Sequence, residues 1–426
     1  MSRVVVIGAG AMGLAAGYHA AKRGHAVTVL EAAPEPGGMA AHFDLGGLSI
    51  ERYYHFVCKS DQSTFDLLAE LGLADKMRWV PTSMGYYVDG KLYPWGDPIA
   101  LLMFPKLSLV EKIRYGAMMF LSTKRSDWTG LENVSAEDWI TSWCGRSVYE
   151  RLWAPLFKLK FYEYADNISA AWIWTRIKRL GTSRRSMMQE ELGHIEGGSE
   201  TLVHALVEAI EANGGKVVLS AAASHVEVAE GRVTGLTAGG ALYPADAVIC
   251  TVPTPLLGRL VTDLPAADLD RYRAIHNIGV VCVVFRLKRS ITKHFWVNIA
   301  DPRFEIPGIV EFSNLRSTGD TVVYIPYYMP VTQPKFSKDD KYFRDEGFGY
   351  LKLLNPQLSD DDLIACYVGR LRHAQPICPP GFLAMLPPVQ TAIGGLQIAD
   401  TCFYYPEDRG ISESVRFGKM MAERVP

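Results

Sequence analysis

The sequence predicts an α/β protein with two domains, of which the first begins with a βαβ unit. Three observations predict this fold. The 426 residues exceed what one hydrophobic core usually organises, so two domains are expected. A content of 48% hydrophobic and 21% charged residues is typical of a globular protein. A β-branched apolar run at residues 4–7, followed by glycine, indicates a buried parallel strand.

The βαβ unit spans residues 4–31. An alanine-rich segment after the first strand predicts a helix, and the apolar run at residues 26–30 predicts a second buried strand. Residues 4–21 contain no Asp, Glu, Lys or Arg, but their four glycines argue against a signal peptide or a membrane span. We therefore expect this stretch to belong to the first domain.

A glycine pattern lies where the first strand meets the helix. Gly8, Gly10 and Gly13 form the sequence G-x-G-x-x-G. There the first glycine permits a tight turn, the second lets the backbone approach a pyrophosphate, and the third allows the helix to pack closely on the strand. The helix N-terminus favours the anion through its dipole and its free N–H groups. The pattern predicts a Rossmann-type dinucleotide site.

The acidic residue that ends the second strand is Glu31. Its spacing from the glycines is that of a carboxylate that accepts hydrogen bonds from an adenosine ribose, and it would repel the 2′-phosphate of NADP. These residues alone suit NAD, as in a hydroxyacid dehydrogenase, as well as FAD. No second G-x-G-x-x-G follows a strand elsewhere, so a separate nicotinamide domain is not expected.

The residues after Glu31 resemble the flavin amine oxidase superfamily, which includes protoporphyrinogen oxidases, phytoene desaturases and, more distantly, UDP-galactopyranose mutases. In that group a glycine pair follows the ribose acid, as Gly37 and Gly38 do here. The family often has arginine next, where this chain has Met39, so an arginine contact cannot be carried over. The resemblance implies FAD as the cofactor.

The resemblance continues in a second glycine pair before residue 199, in a strand that contains Val226, at Thr251, and in a C-terminal segment at residues 398–414. It implies an FAD domain made of residues 1–61, 192–265 and 381–426, and a substrate domain made of residues 62–191 and 266–380. The FAD-binding residues that it implies are Gly8, Gly10, Ala11, Met12, Gly13, Glu31, Ala32, Gly37, Gly38, Met39, Val226, Thr251, Asp400, Asp408, Arg409, Ile411 and Ser414.

Away from these motifs, hydrophobic periodicity predicts the elements. Residues 62–191 are expected to be mainly helical, and helices are also expected at residues 199–212 and 339–363. The chain should end in a strand, a loop and a helix over residues 395–422. The predicted strands of the second half lie at residues 216–219, 224–228, 232–236, 247–251, 280–287 and 321–328.

Composition narrows the class of partner. A formal net charge of -2 offers no basic footprint for nucleic acid. The seven cysteines form no C-x-x-C pair and no zinc-ligand spacing, so we expect no metal site and a reducing, cytoplasmic setting. The oligomeric state is left open.

Two features bear on the substrate. His55 follows the glycine pair and could act as a general base or hydrogen-bond a substrate, although a packed histidine explains it equally well. Residues 146–185 carry nine basic and three acidic side chains among aromatic ones. This segment indicates either a surface for anionic lipid headgroups or a phosphate-bearing substrate, or a solvated helical face over an aromatic core.

Three functions remain open at this point. The first is an FAD-dependent oxidoreductase that transfers hydride from a small, hydrophobic or lipid-like molecule to the flavin. Peripheral contact with an anionic membrane surface is left open with it. The second is a redox-neutral isomerase or mutase that acts on a phosphate-bearing sugar or glycolipid. The third is a protein that binds FAD without catalysis. No sequence feature marks a covalent flavin anchor or an electron acceptor.

Overall fold

A computed structural model describes residues 1–426. The strands are β1 (Arg3–Ile7), β2 (Ala26–Leu30), β3 (His42–Asp44), β4 (Ser49–Glu51), β5 (Met77–Thr82), β6 (Met84–Val88), β7 (Lys91–Trp95), β8 (Arg184–Ser186), β9 (Gln189–Ile195), β10 (Lys216–Val218), β11 (Ala223–Ala229), β12 (Arg232–Ala238), β13 (Ala241–Pro244), β14 (Ala247–Cys250), β15 (Asn277–Leu287), β16 (Trp296–Ile299), β17 (Gly308–Glu311), β18 (Thr321–Met329), β19 (Leu363–Pro376) and β20 (Leu396–Ile398).

The helices are α1 (Ala11–Lys22), α2 (Gln62–Glu70), α3 (Pro98–Met103), α4 (Leu109–Lys124), α5 (Ala136–Cys144), α6 (Arg146–Val148), α7 (Ala154–Phe161), α8 (Ala170–Thr182), α9 (Ser199–Ala212), α10 (Leu257–Leu260), α11 (Ala266–Arg273), α12 (Asp340–Leu354), α13 (Phe382–Met385) and α14 (Ile411–Glu423).

The first sheet is parallel and has the strand order β10-β2-β1-β14-β20. Its strands come from three separate parts of the chain. Helix α1 packs against both α9 and α14, and a Cβ on Gly418 of α14 would lie 2.4 Å from the carbonyl oxygen of Met12. The close contact between α1 and α14 therefore requires glycine at this point.

The second sheet has seven strands in the order β19-β15-β18-β17-β16-β6-β7. Successive side chains of a strand point to opposite faces, and β15 shows the consequence. Val281, Val283 and Phe285 pack with Phe343 and other residues of α12 on one face. Val280 and Cys282 of the other face line a cavity. Three smaller sheets, β11-β12-β13, β3-β4 and β5-β9-β8, complete the fold.

The α/β prediction is confirmed, as are the N-terminal βαβ unit and the C-terminal strand, loop and helix. The structure departs from the predicted secondary structure in two places. The helix expected at residues 339–363 ends at Leu354, just before Asn355 and Pro356, because proline disfavours helix in the preceding residue. Residues 62–191 are mainly helical, as expected, but residues 77–95 form three strands: β5 pairs with the distant β9, β6 pairs with the distant β16, and β6 and β7 form a hairpin. The domain boundaries given above stay a prediction.

Candidate active site

One cavity of about 1700 Å³ lies at the carboxyl ends of the strands of the parallel sheet. Gly8, Glu31 and Thr251 line it and directly follow β1, β2 and β14, and Asp400 lies just after β20. Loops in this position are where open α/β sheets bind their ligands. Residues of β15 and β18 in the second sheet line another part of the cavity. The cavity thus lies between the two large sheets.

The two glycine loops pack backbone against backbone at one end of the cavity. The N–H of Gly37 donates to the carbonyl of Ala9 at 2.7 Å, and Gly37 and Gly38 have φ values of 112° and 57°. Glycine is favoured in this left-handed region. A Cβ on Gly38 would lie 3.2 Å from the Cα of Gly10, whereas a Cβ on Gly10 would meet nothing within 4 Å. Open space therefore lies beside Gly10.

The carboxylate of Glu31 is fixed by the backbone. Its Oε2 accepts a hydrogen bond from the N–H of Ala9 at 2.7 Å, and its Oε1 accepts one from the N–H of Ala33 at 2.9 Å. An ionised carboxylate offers about four lone-pair positions, so each oxygen can accept a further bond from a ribose hydroxyl. Glu31 and Ala32 both line the cavity.

Two helix N-termini also face the cavity. Helix α1 begins after Gly10 and α14 begins after Gly410, and neither helix has a side-chain cap. The first N–H groups of a helix have no acceptor within it, so they favour an anion or a carbonyl oxygen. The open space at Gly10, the fixed carboxylate of Glu31 and these two N-termini fit FAD. The pyrophosphate would be held at α1, the ribose at Glu31 and the carbonyl edge of the flavin at α14.

The structure brings sixteen of the eighteen predicted site residues to this cavity. They are Gly8, Gly10, Ala11, Met12, Glu31, Ala32, Gly37, Gly38, Met39, His55, Thr251, Asp400, Asp408, Arg409, Ile411 and Ser414.

Gly13 and Val226 do not line the cavity. Gly13 lies against the first turn, where a Cβ would be 1.8 Å from the carbonyl oxygen of Gly8, so its role is packing. Val226 is fully buried in the core. The residues that line the cavity near this strand are Ala222, Ala223 and Ser224, which the sequence reasoning missed. The run of small side chains before and at the start of β11 could have indicated that a ligand lies close to the backbone there.

His55 lies in the cavity wall as an uncharged side chain. Burial lowers the pKa of His55 to about 4, although the charge of Glu51 acts in the opposite direction. Its Nδ1 has no hydrogen-bond partner. Because Nδ1 is enclosed by protein atoms, a group that occupies the cavity would contact the imidazole through Nε2.

A group of charged side chains lies in the wall near the start of α14. Asp408 forms a salt bridge of 2.6 Å with Arg176, and the other carboxylate oxygen of Asp408 has no partner. Burial would raise the pKa of Asp408, but the charges of Arg176, Lys160 and Arg409 hold it below its usual range. Arg409 contacts the carbonyl of Ala374 and donates to the Tyr328 hydroxyl at 3.1 Å. Its guanidinium therefore points toward the second sheet and not toward the glycine loops.

The basic segment at residues 146–185 does not form one surface. Arg146 lies outside the cavity and pairs with Glu137 and Glu150. Arg179 lines the cavity but is held by Asp61 at 2.7 and 3.0 Å. The cavity-lining residues of the segment are Lys160, Arg176, Arg179, Arg184 and Arg185, together with aromatic and aliphatic ones.

An exposed apolar surface lies along one edge of the cavity. It was not predicted from the sequence. Helices α3 and α4 and the turn between β8 and β9 contribute residues to the cavity lining. The same three elements carry ten of the nineteen large hydrophobic residues that are exposed: Ile99, Leu102, Met103, Leu109, Val110, Ile113, Phe120, Leu121, Met187 and Met188. We call these ten residues the apolar rim. No helix of the protein is both long and apolar enough to pass through a bilayer.

Comparison with known proteins places the chain in a family. A family model described as flavin containing amine oxidoreductase matches residues 13–340. The chain belongs to this family. The predictions of a flavin-dependent oxidoreductase family and of FAD as its cofactor are confirmed.

Individual relatives are distant. A 15-cis-phytoene desaturase from an Oncidium hybrid cultivar is 25% identical over 302 residues, which are 66% of this chain and 51% of that protein. The chain spans about half the length of this and three other plant desaturases that it matches. Cyclohexylamine oxidase from Brevibacterium oxydans superposes with a TM-score of 0.73 at 16% identity, covering 99% of this chain and 98% of that one. Reduced UDP-galactopyranose mutase superposes with a TM-score of 0.76 at 16% identity, covering 99% and 95%. These two structures show a shared fold.

Proposed function

We propose that this flavoenzyme oxidises a hydrophobic, lipid-like substrate by dehydrogenation within the cavity. The observation that carries the proposal is that one cavity joins the glycine loops to an apolar interior and to the apolar rim. Its volume of about 1700 Å³ exceeds the range of about 300–1,000 Å³ that is usual for one small ligand. The space suits a flavin together with a long apolar substrate.

FAD, when bound, supplies the acceptor for the hydride that leaves a substrate C–H bond. The chain's own residues then bind and orient the substrate and exclude water. Of the 82 residues that line the cavity, 43 are hydrophobic, so apolar surface of a substrate is removed from water there. His55 is uncharged above about pH 4, so it can accept a hydrogen bond or a proton from a substrate group near neutral pH.

The apolar rim supports delivery of the substrate from a membrane. Residues 98–125, which include α3 and α4, carry five basic side chains and one acidic one. Exposed apolar side chains beside basic ones favour the interface of an anionic bilayer. We propose that the rim rests on such a bilayer, so that the cavity opens toward the lipid and not toward water. In this proposal the apolar rim contacts the membrane, and residues 146–185 do not form the membrane surface.

The second candidate is a redox-neutral reaction on a phosphate-bearing sugar or glycolipid. The cationic side chains of Lys160 and Arg409 in the cavity wall favour it, because an apolar hydrocarbon needs neither of them. The two candidates differ in what they require of the flavin. A dehydrogenase begins with oxidised flavin and leaves it reduced, whereas a mutase needs reduced flavin at the start.

Anaerobic mixing of the FAD-loaded protein with candidate substrates tests the proposal. Vesicles that contain a total lipid extract should bleach the flavin absorbance, whereas water-soluble primary amines should leave it unchanged. Vesicles of a saturated synthetic phospholipid are the control for light scattering and nonspecific binding. Bleaching by the soluble amines alone would contradict the lipid assignment. Turnover that requires prior chemical reduction of the flavin would support the redox-neutral candidate.

A further inference from the structure

Lys160 is a half-buried basic side chain of the cavity wall that has no counter-ion. It lies at the end of α7, which packs on β18, and its Nζ lies 5.1 Å from the ring centre of Tyr328 and 5.6 Å from that of Phe161. It forms neither a salt bridge nor a hydrogen bond with another residue, although Asp408 lies in the same part of the wall and pairs with Arg176. The three N–H donors of Nζ are therefore free, and because Lys160 lines the cavity, a ligand group there can accept hydrogen bonds from them.

Arg409 is a second cation beside the ring of Tyr328. Its guanidinium carbon lies 5.8 Å from the centre of the Tyr328 ring, and it forms hydrogen bonds only with two uncharged acceptors, the Tyr328 hydroxyl and a backbone carbonyl. Lys160 and Arg409 thus both lie beside the Tyr328 ring, and neither forms a salt bridge with a carboxylate. The four charged groups of this wall, Lys160, Arg176, Asp408 and Arg409, sum to two positive charges when all are ionised.

We propose that Lys160 and Arg409 form a subsite for an oxyanion, the carboxylate or phosphate of an amphiphilic substrate, at the second-sheet side of the cavity. The inference rests on the proposed function and specifies its substrate class as an anionic amphiphile. A planar guanidinium and a mobile ammonium are the side chains that recognise such groups. The apolar lining would hold the hydrocarbon part of the same molecule.

The subsite couples binding to protonation. Burial, together with the charges of Arg176 and Arg409, lowers the pKa of Lys160 well below its usual range, and Asp408 opposes this only in part. An anion beside Nζ favours the charged form and raises that pKa again. Anion binding should therefore take up a proton, and the affinity should fall as the pH rises from the lowered pKa toward the ordinary value of about 10.4.

The test measures binding to the FAD-loaded protein by calorimetry, with decanoate, decyl phosphate and uncharged decanol as probes. At least one anionic probe should bind about 10-fold tighter than decanol, and comparing the two anions distinguishes carboxylate from phosphate recognition. At pH 9, titrations in two buffers with different ionisation enthalpies should show proton uptake with the anion and none with decanol. Equal binding of all three probes, or no proton uptake, would overturn the proposal.

Substitutions test whether the side chain of Lys160 is responsible for anion binding. Lys160→Met should weaken binding of the anion by about 10- to 100-fold and leave decanol binding unchanged. Lys160→Arg should retain most of the anion affinity. Lys158→Met is the matched control, because Lys158 lies on the same helix but is exposed and does not line the cavity. If Lys160→Met fails to retain FAD, proton uptake by the unmodified protein still decides whether the anion binds beside a titrating group. Binding does not require turnover, so failure of the flavin to be bleached by lipids would refute the proposed function alone.

Discussion

The smallest features that define the site are glycines that differ in what surrounds them. A side chain on Gly13 would collide with the backbone of Gly8, so this glycine serves the fold. A side chain on Gly10 would enter open space beside the cavity, so this glycine leaves room for a ligand. The sequence pattern predicts both positions but does not separate their roles, since packing and ligand approach can each require a missing Cβ.

Gly10→Ala should therefore reduce FAD affinity by about 10-fold or more, while the apoprotein keeps its thermal unfolding temperature. The added methyl group occupies the space that the pyrophosphate needs and touches no protein atom. Fluorescence titration of the apoprotein with FAD measures the affinity. Gly349→Ala in α12 is the control, since a Cβ there also meets nothing within 4 Å and lies away from the cavity. Equal FAD affinity in both variants would contradict this assignment.

A second residue-scale feature is the buried carboxylate of Glu51, which no sequence pattern indicated. It forms a salt bridge of 2.6 Å with Arg316 and accepts a hydrogen bond from the N–H of Ser199 at 3.2 Å. Burial would raise the pKa of Glu51, but His42, whose Nε2 lies 3.7 Å from Oε1, and the charge of Arg316 hold it at about 2. The second glycine pair thus places the N-terminus of α9 against this carboxylate and not in the cavity.

Arg316→Met should destabilise the protein by about 3–5 kcal/mol at neutral pH, because it leaves a buried carboxylate without its cation. The lowered pKa of Glu51 stabilises the folded state above the unfolded value of about 4.3, and this stabilisation is lost as the pH falls toward 2. The urea midpoint of the unmodified protein should therefore fall more steeply between pH 5 and 3 than that of Arg316→Met. Lys76→Met, which removes an exposed partner of Glu196, should leave the slope unchanged. Parallel slopes in all three proteins would refute the role of this pair.

At the scale of elements, α4 has two faces with different tasks. Tyr115, Met118 and Ser122 point into the protein, while Val110 and Ile113 are 65% and 64% exposed. An amphipathic period alone predicts a helix with one buried face, but α4 is apolar on its exposed face as well. From the sequence, therefore, only the basic segment at residues 146–185 was considered as a membrane surface. The fold pairs four of its nine basic side chains with carboxylates, namely Arg146, Arg151, Arg176 and Arg179. Strand β5 and the outer edge of β6 pair with strands that are distant in sequence, which local periodicity cannot detect. The β6–β7 hairpin is local, and its Asp89-Gly90 turn was a signal that the sequence analysis missed.

Ile113→Asp should weaken binding to vesicles that contain phosphatidylglycerol by about 10-fold or more, because it removes an apolar anchor and adds a charge of the wrong sign. Cosedimentation with vesicles measures the bound fraction, and vesicles of phosphatidylcholine alone should bind less protein. Leu353→Asp in α12 is the control, because Leu353 is also exposed but lies outside the apolar rim. If both variants bind vesicles equally, the apolar rim is not the membrane surface.

At the scale of the whole molecule, two sheets enclose one cavity, and the first sheet is assembled from three distant segments of the chain. The sequence predicts the first and last of these segments well, because glycine spacing and strand-loop-helix order are local. It does not predict the cavity wall made of α7, α8 and β18, where Lys160, Arg176 and Tyr328 come together from separate elements. FAD is expected to occupy the end of the cavity that the glycine loops line.

FAD binding is measured by the absorption spectrum of the purified protein, followed by the spectrum of the supernatant after heat denaturation. We predict the two visible bands of an oxidised flavin in the protein and release of that chromophore as FAD, identified by chromatography. Reconstitution should restore the bands if the cofactor is lost in purification. A colourless protein that cannot be reconstituted with FAD, but that binds NAD, would contradict the account.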